Sequence, residues 1–232
     1  MVRIDLGSEF LNHILSAGYE PGETLPTIKE LASREYLGVS TSKIREQLEV
    51  ARALGIVDVR SRTGTQLKPL NFAQPVRLAA LYALGQNPES FEQLNDLRIG
   101  IEVTFWQRAC ETLTEQELCT MREMIENAHR QLNSHPIHIP FAEHRKFHLT
   151  MFKKLDNPFV IGILEAYWDV YDVVASNQYA EYSYLLEVWQ HHENILDAIV
   201  AGNFDAALEY FIKHTQLRRY QHPIINKESA PK

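Results

Sequence analysis

The chain has 232 residues, 23 Lys and Arg against 30 Asp and Glu, and a formal net charge of −7. That length allows one large or two smaller self-supporting domains, and 45% hydrophobic with 23% charged residues excludes wholesale disorder. Cys110 and Cys119 are too few for a disulfide scaffold and do not form a CxxC pair, so both are expected as small buried or half-buried helical residues. The start, MVRIDLGSEF, lacks the basic and apolar regions of a signal peptide, and no apolar run approaches the roughly 20 residues that span a bilayer. The expectation is a soluble, cytoplasmic protein without a membrane partner.

The charge is unevenly divided. Residues 1–68 hold nine basic and nine acidic residues, whereas residues 69–232 hold fourteen and twenty-one and carry the whole −7. Nine of the ten histidines also lie in the second part. Pro69 and Pro75 flank a short polar stretch. These shifts predict a first domain over 1–68, a linker over 69–75, a second domain over 76–222 and a frayed tail over 223–232.

Leu6, Phe10, Leu11, Ile14 and Leu15 recur at helical spacing before Gly18. After a turn at Pro21-Gly22, Thr27 and Glu30 form a capping-box pair opening a helix with Ile28, Leu31 and Ala32. Gly38 breaks it, and Ser40 caps a third helix with Ile44, Leu48 and Ala51 inside, ending at Gly55. Ile56, Val57 and Val59, a Thr63-Gly64 turn and Thr65 to Leu67 read as a short β-hairpin. Helix, helix, turn, helix, hairpin is the order of a winged helix-turn-helix. The second part reads as six or seven helices at about 75–87, 90–112, 115–132, 139–154, 158–178, 181–200 and 204–221, with Ser90, Thr114 and Asn203 as N-caps. The fold class is therefore mainly α, a winged head followed by an all-helical bundle. It holds no glycine-rich phosphate loop and no GxSxG.

The runs PGETLPTIKELA (Pro21–Ala32), LGVSTSKIREQL (Leu37–Leu48), ALG (Ala53–Gly55) and RTGT (Arg62–Thr65) resemble the DNA-binding domain of GntR-family transcription regulators. LRIGIE (Leu97–Glu102), Phe147-His148, HENILDAIVAGN (His192–Asn203) and His214 resemble the helical FCD effector domain of the FadR subfamily. The resemblance implies a homodimer on a palindromic operator in double-stranded DNA, responsive to a small organic acid. Two departures stand out: Thr41 occupies a position where family members commonly carry arginine, and the SREY stretch (Ser33–Tyr36) is about two residues longer than usual.

Short polar and basic side chains at the start of a recognition helix suit base edges and phosphates. Ser40, Thr41, Ser42, Lys43 and Arg45 supply them, with Thr27 and Lys29 on the preceding helix and Arg60, Arg62 and Gly64 on the wing. A solvated surface is the plainer alternative for each basic residue taken singly. In the second part, His144 and His148 are i and i+4 on one helix, so both rings share a face. His192 and His214 follow on separate helices. The resemblance implies a metal site of one aspartate and three histidines, with His144 standing at the aspartate position. Four imidazoles suit zinc first, with nickel as an alternative, and the missing carboxylate disfavours harder ions. Glu143 points about 100° away from His144 and is not a substitute. His191 reads as a neighbour of the site, and His129, His135, His138 and His222 as solvent-facing.

The resemblance implies that Arg98 holds an effector carboxylate; an internal ion pair with Glu102 or Asp96 is the alternative. Tyr171 and Asn177 are further candidates for that cavity, beside Tyr167 and Trp168. Three functions compete: a ligand-responsive regulator, a histidine-metal enzyme acting on a small acid with Glu143 or Glu193 as base, and a bundle whose metal is only structural.

Overall fold

A computed structural model describes residues 4–60, 64–175 and 180–217. Ser8 opens α1 (Glu9–Ala17) by accepting the Leu11 N–H on its hydroxyl at 3.2 Å, and Gly18 at φ +72° closes it. Of the five apolar residues expected to face inward, Phe10, Leu11 and Ile14 are buried. Leu6 lies ahead of the cap and Leu15 on the outer face, and both are exposed. The capping box forms at α2 (Ile28–Ala32): the Thr27 N–H reaches the Glu30 carboxylate at 2.7 Å, and the Glu30 N–H reaches Thr27 Oγ1 at 3.3 Å. The longer SREY stretch goes into turns before Gly38 at φ +63° and leaves α2 short.

Ser40 accepts the Lys43 N–H at 3.2 Å and starts α3 (Thr41–Ala53), which buries Ile44, Leu48 and Ala51. β1 (Val57–Arg60) and β2 (Gly64–Leu67) pair antiparallel, with Val57 opposite Leu67 and Arg60 opposite Gly64. The segment before α2 adds to this hairpin, with the Leu25 N–H on Thr65 O at 2.8 Å and the Leu67 N–H on Glu23 O at 2.9 Å. Phe10, Leu11, Ile14, Leu25, Leu31, Ile44, Leu48, Ala51 and Val57 form the core of this head.

Seven helices follow among the described residues: α4 (Ala73–Gln86), α5 (Ser90–Thr112), α6 (Glu115–Leu132), α7 (Phe141–Phe152), α8 (Pro158–Ala175), α9 (Tyr182–Val200) and α10 (Phe204–Thr215). α4 starts two residues earlier than expected, because Asn71 Oδ1 accepts the Gln74 N–H at 3.2 Å and Pro75 sits in the first turn, where no N–H is needed. Glu89 rather than Ser90 precedes α5; Ser90 Oγ donates instead to Ala83 O at 3.3 Å. Thr114 caps α6 by donating its N–H to the Glu117 carboxylate at 3.0 Å, and Asn203 Oδ1 caps α10 through the Ala206 N–H at 3.1 Å. α7 begins at Phe141, after Pro140, and α10 ends at Thr215. The expected extensions to 178 and 221 run into residues 176–179 and 218–221, which lie outside the described residues.

The chain falls into two compact units, Met1–Ala79 and Ala80–Lys232. In the second, α9 packs on α10 and α6, α6 on α7, and α5 on α8. Fully buried alanines (Ala109, Ala128, Ala166, Ala207) sit among large side chains of the core such as Phe147, Leu164 and Trp189. Trp106 stacks on Phe211 at 4.8 Å and donates Nε1–H to Phe204 O at 3.1 Å. Cys110 belongs to this core, and burial pushes its thiol up to about 12. Cys119 is exposed on α6, contrary to expectation, because its position lies on the outer face of that helix.

Candidate metal centre and nucleic-acid interface

α7 carries His144 and His148 one turn apart, α9 carries His192 and α10 carries His214 near its last turn. Their candidate ligand atoms all lie within 4.8 Å of one another. His148, His192 and His214 are buried, and His144 is half-buried. Ring centroids stand 4.5 Å apart for His192 and His214, and 4.9 Å apart for His144 and His192. Trp168 packs at 4.8 Å from both His144 and His148, which fixes the rings from the α8 side.

The hydrogen bonds around the rings decide which nitrogens face inward. His192 Nδ1 donates to Val188 O at 2.7 Å, leaving the lone pair of the neutral ring on Nε2. That Nε2 lies 3.2 Å from Nε2 of His148, whose Nδ1 faces Glu102 Oε1 at 3.3 Å. A 3.2 Å gap between two such nitrogens suits either an N–H···N bond, with His148 carrying its proton on Nε2, or a cation held between two lone pairs. With metal–nitrogen bonds of about 2.1 Å, nitrogens bound to one ion stand roughly 3.0–3.4 Å apart at octahedral to tetrahedral angles. The observed separation fits. Burial, reinforced by the neighbouring imidazoles, holds His192 and His214 well below the ordinary histidine pKa. Burial also lowers His148, against the opposing pull of Glu102. The neutral form that these environments favour is the ligating one.

A cleft lined by Phe141, Tyr171, Tyr184, Val188 and Trp189 reaches His144. Tyr171 is on the wall of this cleft, with its ring 5.7 Å from His144. Asn177 lies outside the described residues. Arg98 is not in the cleft wall: Nη1 donates to Glu102 Oε2 at 2.7 Å and Nη2 to Asn95 Oδ1 at 2.9 Å. The ion-pair alternative is thus what the geometry shows, with Glu102 rather than Asp96 as partner. Burial favours the neutral acid at Glu102, but the charge of Arg98, with the contact to His148, outweighs it and leaves its pKa lowered. The Glu102–His148 contact was not foreseen; the i, i+4 spacing to Arg98 was its only trace in the sequence. His191 lies beside the cluster, its ring 6.4 Å from His214. His135 and His138 are exposed and His129 is half-buried, while His222 lies outside the described residues.

In the head, Ser40, Thr41, Ser42, Lys43 and Arg45 are all exposed at the start of α3, and Thr27 and Lys29 are exposed at the start of α2. The hydroxyls of Thr27 and Ser40 are already engaged as caps. Lys43 Nζ pairs with Glu9 Oε1 at 2.5 Å, and Gln47 donates to the other oxygen of that carboxylate. These bonds hold the Glu9 carboxyl down at about 2. Arg60 pairs with Asp58 at 2.7 Å. Lys29 and Arg45 enter no ion pair among the described residues. Gly64 is exposed at the start of β2, and Arg62 lies outside the described residues.

Residues 6–67 match the family of bacterial regulatory proteins named gntR, and residues 93–217 match the FCD domain. The chain belongs to the GntR family. Its FCD domain agrees with the FadR subfamily. This regulator is 27% identical over 213 residues to the HTH-type transcriptional regulator YcbG of Bacillus subtilis, covering 91% of this chain and 86% of the relative. It is 26% identical over 208 residues to the HTH-type transcriptional regulator LutR of the same organism, covering 84% and 89%. Among solved structures, Streptococcus agalactiae GntR shares the fold, with a TM-score of 0.66 at 21% identity and coverage of 90% and 95%. The regulator is a DNA-binding transcription factor and not an enzyme, which removes the metalloenzyme alternative. Among the described residues no helix is long and apolar enough to cross a membrane.

Proposed function

We propose that this regulator binds a palindromic operator as a homodimer in the cytoplasm and responds to a small organic acid at a metal centre in its FCD domain. His144, His148, His192 and His214 would hold the ion, zinc first and nickel as the alternative. The convergence of four imidazoles from three helices, with ligand atoms within 4.8 Å, carries this reading. A borderline divalent ion supplies a Lewis-acidic centre for carboxylate and hydroxyl oxygens. The protein's part is to keep the imidazoles neutral, aim their lone pairs inward and exclude water with Trp168 and Trp189. The cleft beside His144, with Tyr171 on its wall, is the candidate entry for the acid. In the head, Thr27, Lys29, Ser40, Thr41, Ser42, Lys43, Arg45, Arg60, Arg62 and Gly64 are the proposed DNA-facing set, with Lys29 and Arg45 its ready phosphate or base contacts.

An effector acts here only through different affinities for two states of the dimer. The test has two parts. Protein purified without a nickel column is analysed for metal, and its binding to its own upstream DNA is followed by gel shift with chelator or with a panel of dicarboxylic, hydroxy and sugar acids. About one zinc per chain and an acid-dependent shift are expected. A metal-free protein that takes up neither zinc nor nickel would reject the metal centre. DNA binding unchanged by every acid would reduce the site to a structural one.

A further inference from the structure

Arg98 and Glu102, one turn apart on α5, are 6% and 0% exposed. Glu102 uses its two oxygens differently: Oε2 accepts from Arg98 at 2.7 Å, and Oε1 lies 3.3 Å from His148 Nδ1. Both atoms are buried and neither completes a hydrogen bond of good geometry among the described residues, so the 3.3 Å approach is a close electrostatic contact between two otherwise unsatisfied atoms. Arg98 is itself anchored: Nη2 donates to Asn95 Oδ1, which also accepts from the Tyr167 hydroxyl at 2.9 Å, and the guanidinium lies 4.8 Å from the Tyr167 ring centroid. Two buried charges cost more in desolvation than an apolar pair of similar shape, so stability alone does not account for them. Their geometry ties them to the histidine cluster and not to the cleft, whose wall includes neither.

We propose that Arg98 and Glu102 are positioning residues for the metal centre: Arg98 anchors Glu102, and Glu102 holds the His148 ring by Nδ1 so that Nε2 faces His192 and the ion. The inference rests on the metal reading above. A carboxylate behind a ligating imidazole fixes the ring and strengthens its inner nitrogen as a donor. His192 is held in the same sense by Val188 O. Among the described residues the cluster is four histidines without a carboxylate, and Glu102 supplies a carboxylate one residue further out. Arg98 is then spent on orientation, leaving the effector to the cleft at His144.

The test uses the full chain, stripped with chelator and reloaded. Zinc affinity is measured by competition with a chromophoric chelator, the cobalt-loaded visible spectrum reports ligand geometry, and the metal-free melting temperature checks folding. Glu102→Gln and Glu102→Asp are expected to weaken zinc binding about 10- to 100-fold, and Glu102→Asp to shift the cobalt bands. Because Glu102→Gln leaves Arg98 buried without a countercharge, the double variant Arg98→Met with Glu102→Met supplies a folded comparison and should lose zinc affinity to the same degree. Wild-type affinity and spectrum in Glu102→Asp and the double variant overturn the positioning role while leaving the metal centre standing. A wild-type chain that binds neither zinc nor cobalt overturns both.

Discussion

Gly55 joins α3 to β1 at φ +74°, and a Cβ there would stand 2.9 Å from Gln74 Oε1. The same Gln74 side chain donates Nε2–H to Arg52 O at 2.7 Å, satisfying a carbonyl at the end of the recognition helix. Gly55→Ala therefore pays twice, once for the left-handed backbone and once for displacing the amide. Gly18 has nearly the same φ, +72°, with open space around it. Gly18→Ala should cost about 1 kcal/mol, and Gly55→Ala more than that by the crowding. Urea denaturation of the two variants, followed by circular dichroism, checks the order; equal losses would show that Gln74 moves aside freely. Another residue-scale point is Lys43, which reaches Glu9 in the free protein. Its ammonium must leave that carboxylate before it meets a phosphate, whereas Arg45 enters no ion pair among the described residues. Arg45→Ala should lower the slope of log affinity against log salt by about 1. Lys43→Ala should change it less, because in the wild type the phosphate contact of Lys43 only replaces its ion pair with Glu9. A larger slope change for Lys43 would reverse this ranking.

The start of α3 rests on one side chain. Ser40 Oγ accepts the Lys43 N–H, and replacing it with alanine leaves that donor without its cap. Ser40→Ala should destabilise the head by about 1 kcal/mol and weaken operator binding through fraying of the first turn. Hydrogen exchange at the Lys43 amide would report the fraying; unchanged protection would reject it. Such caps were legible in advance because they join residues three apart: Thr27 with Glu30, Thr114 with Glu117 and Ser40 with Lys43 all form. Elements set by distant pairing were not. The Leu25–Thr65 hydrogen bond that extends the hairpin joins segments forty residues apart, and Pro21-Gly22 announces only a turn. The histidine site shows the same division. His144 and His148 follow from helical spacing, and the family resemblance supplied His192 and His214. The Glu102–His148 contact needs α5 beside α7, which no local pattern states. Periodicity also overstated α1, since Leu6 and Leu15 fit the helical repeat but fall outside the face that meets the core.

Taken over the whole molecule, the net charge of −7 belongs to the second part of the chain, and so do nine of its ten histidines. Three of its histidines are buried imidazoles whose titration is linked to folding. His148 is lowered below the ordinary pKa, and His192 and His214 are lowered well below it, mainly by burial. Above the unfolded value of about 6.5 these histidines are neutral in both states and contribute no pH dependence. As pH falls through 6.5 the unfolded chain takes up protons that the folded chain refuses, so stability must fall. The loss continues until the lowered folded values are reached, with a limiting slope of about 1.4 kcal/mol per pH unit for each histidine. Chelator-treated protein should therefore lose melting temperature steadily between about pH 6.5 and 5. His192→Leu removes one proton-refusing group of similar bulk and should make that decline shallower, even where its stability at neutral pH is lower. A decline of equal steepness in His192→Leu would mean that His192 does not titrate as its burial dictates. Bound metal adds stability at every pH where the imidazoles stay neutral, by an amount set by its concentration over its dissociation constant. The melting curves of zinc-loaded and chelated protein should hence run apart at neutral pH and converge in acid, where protons displace the ion.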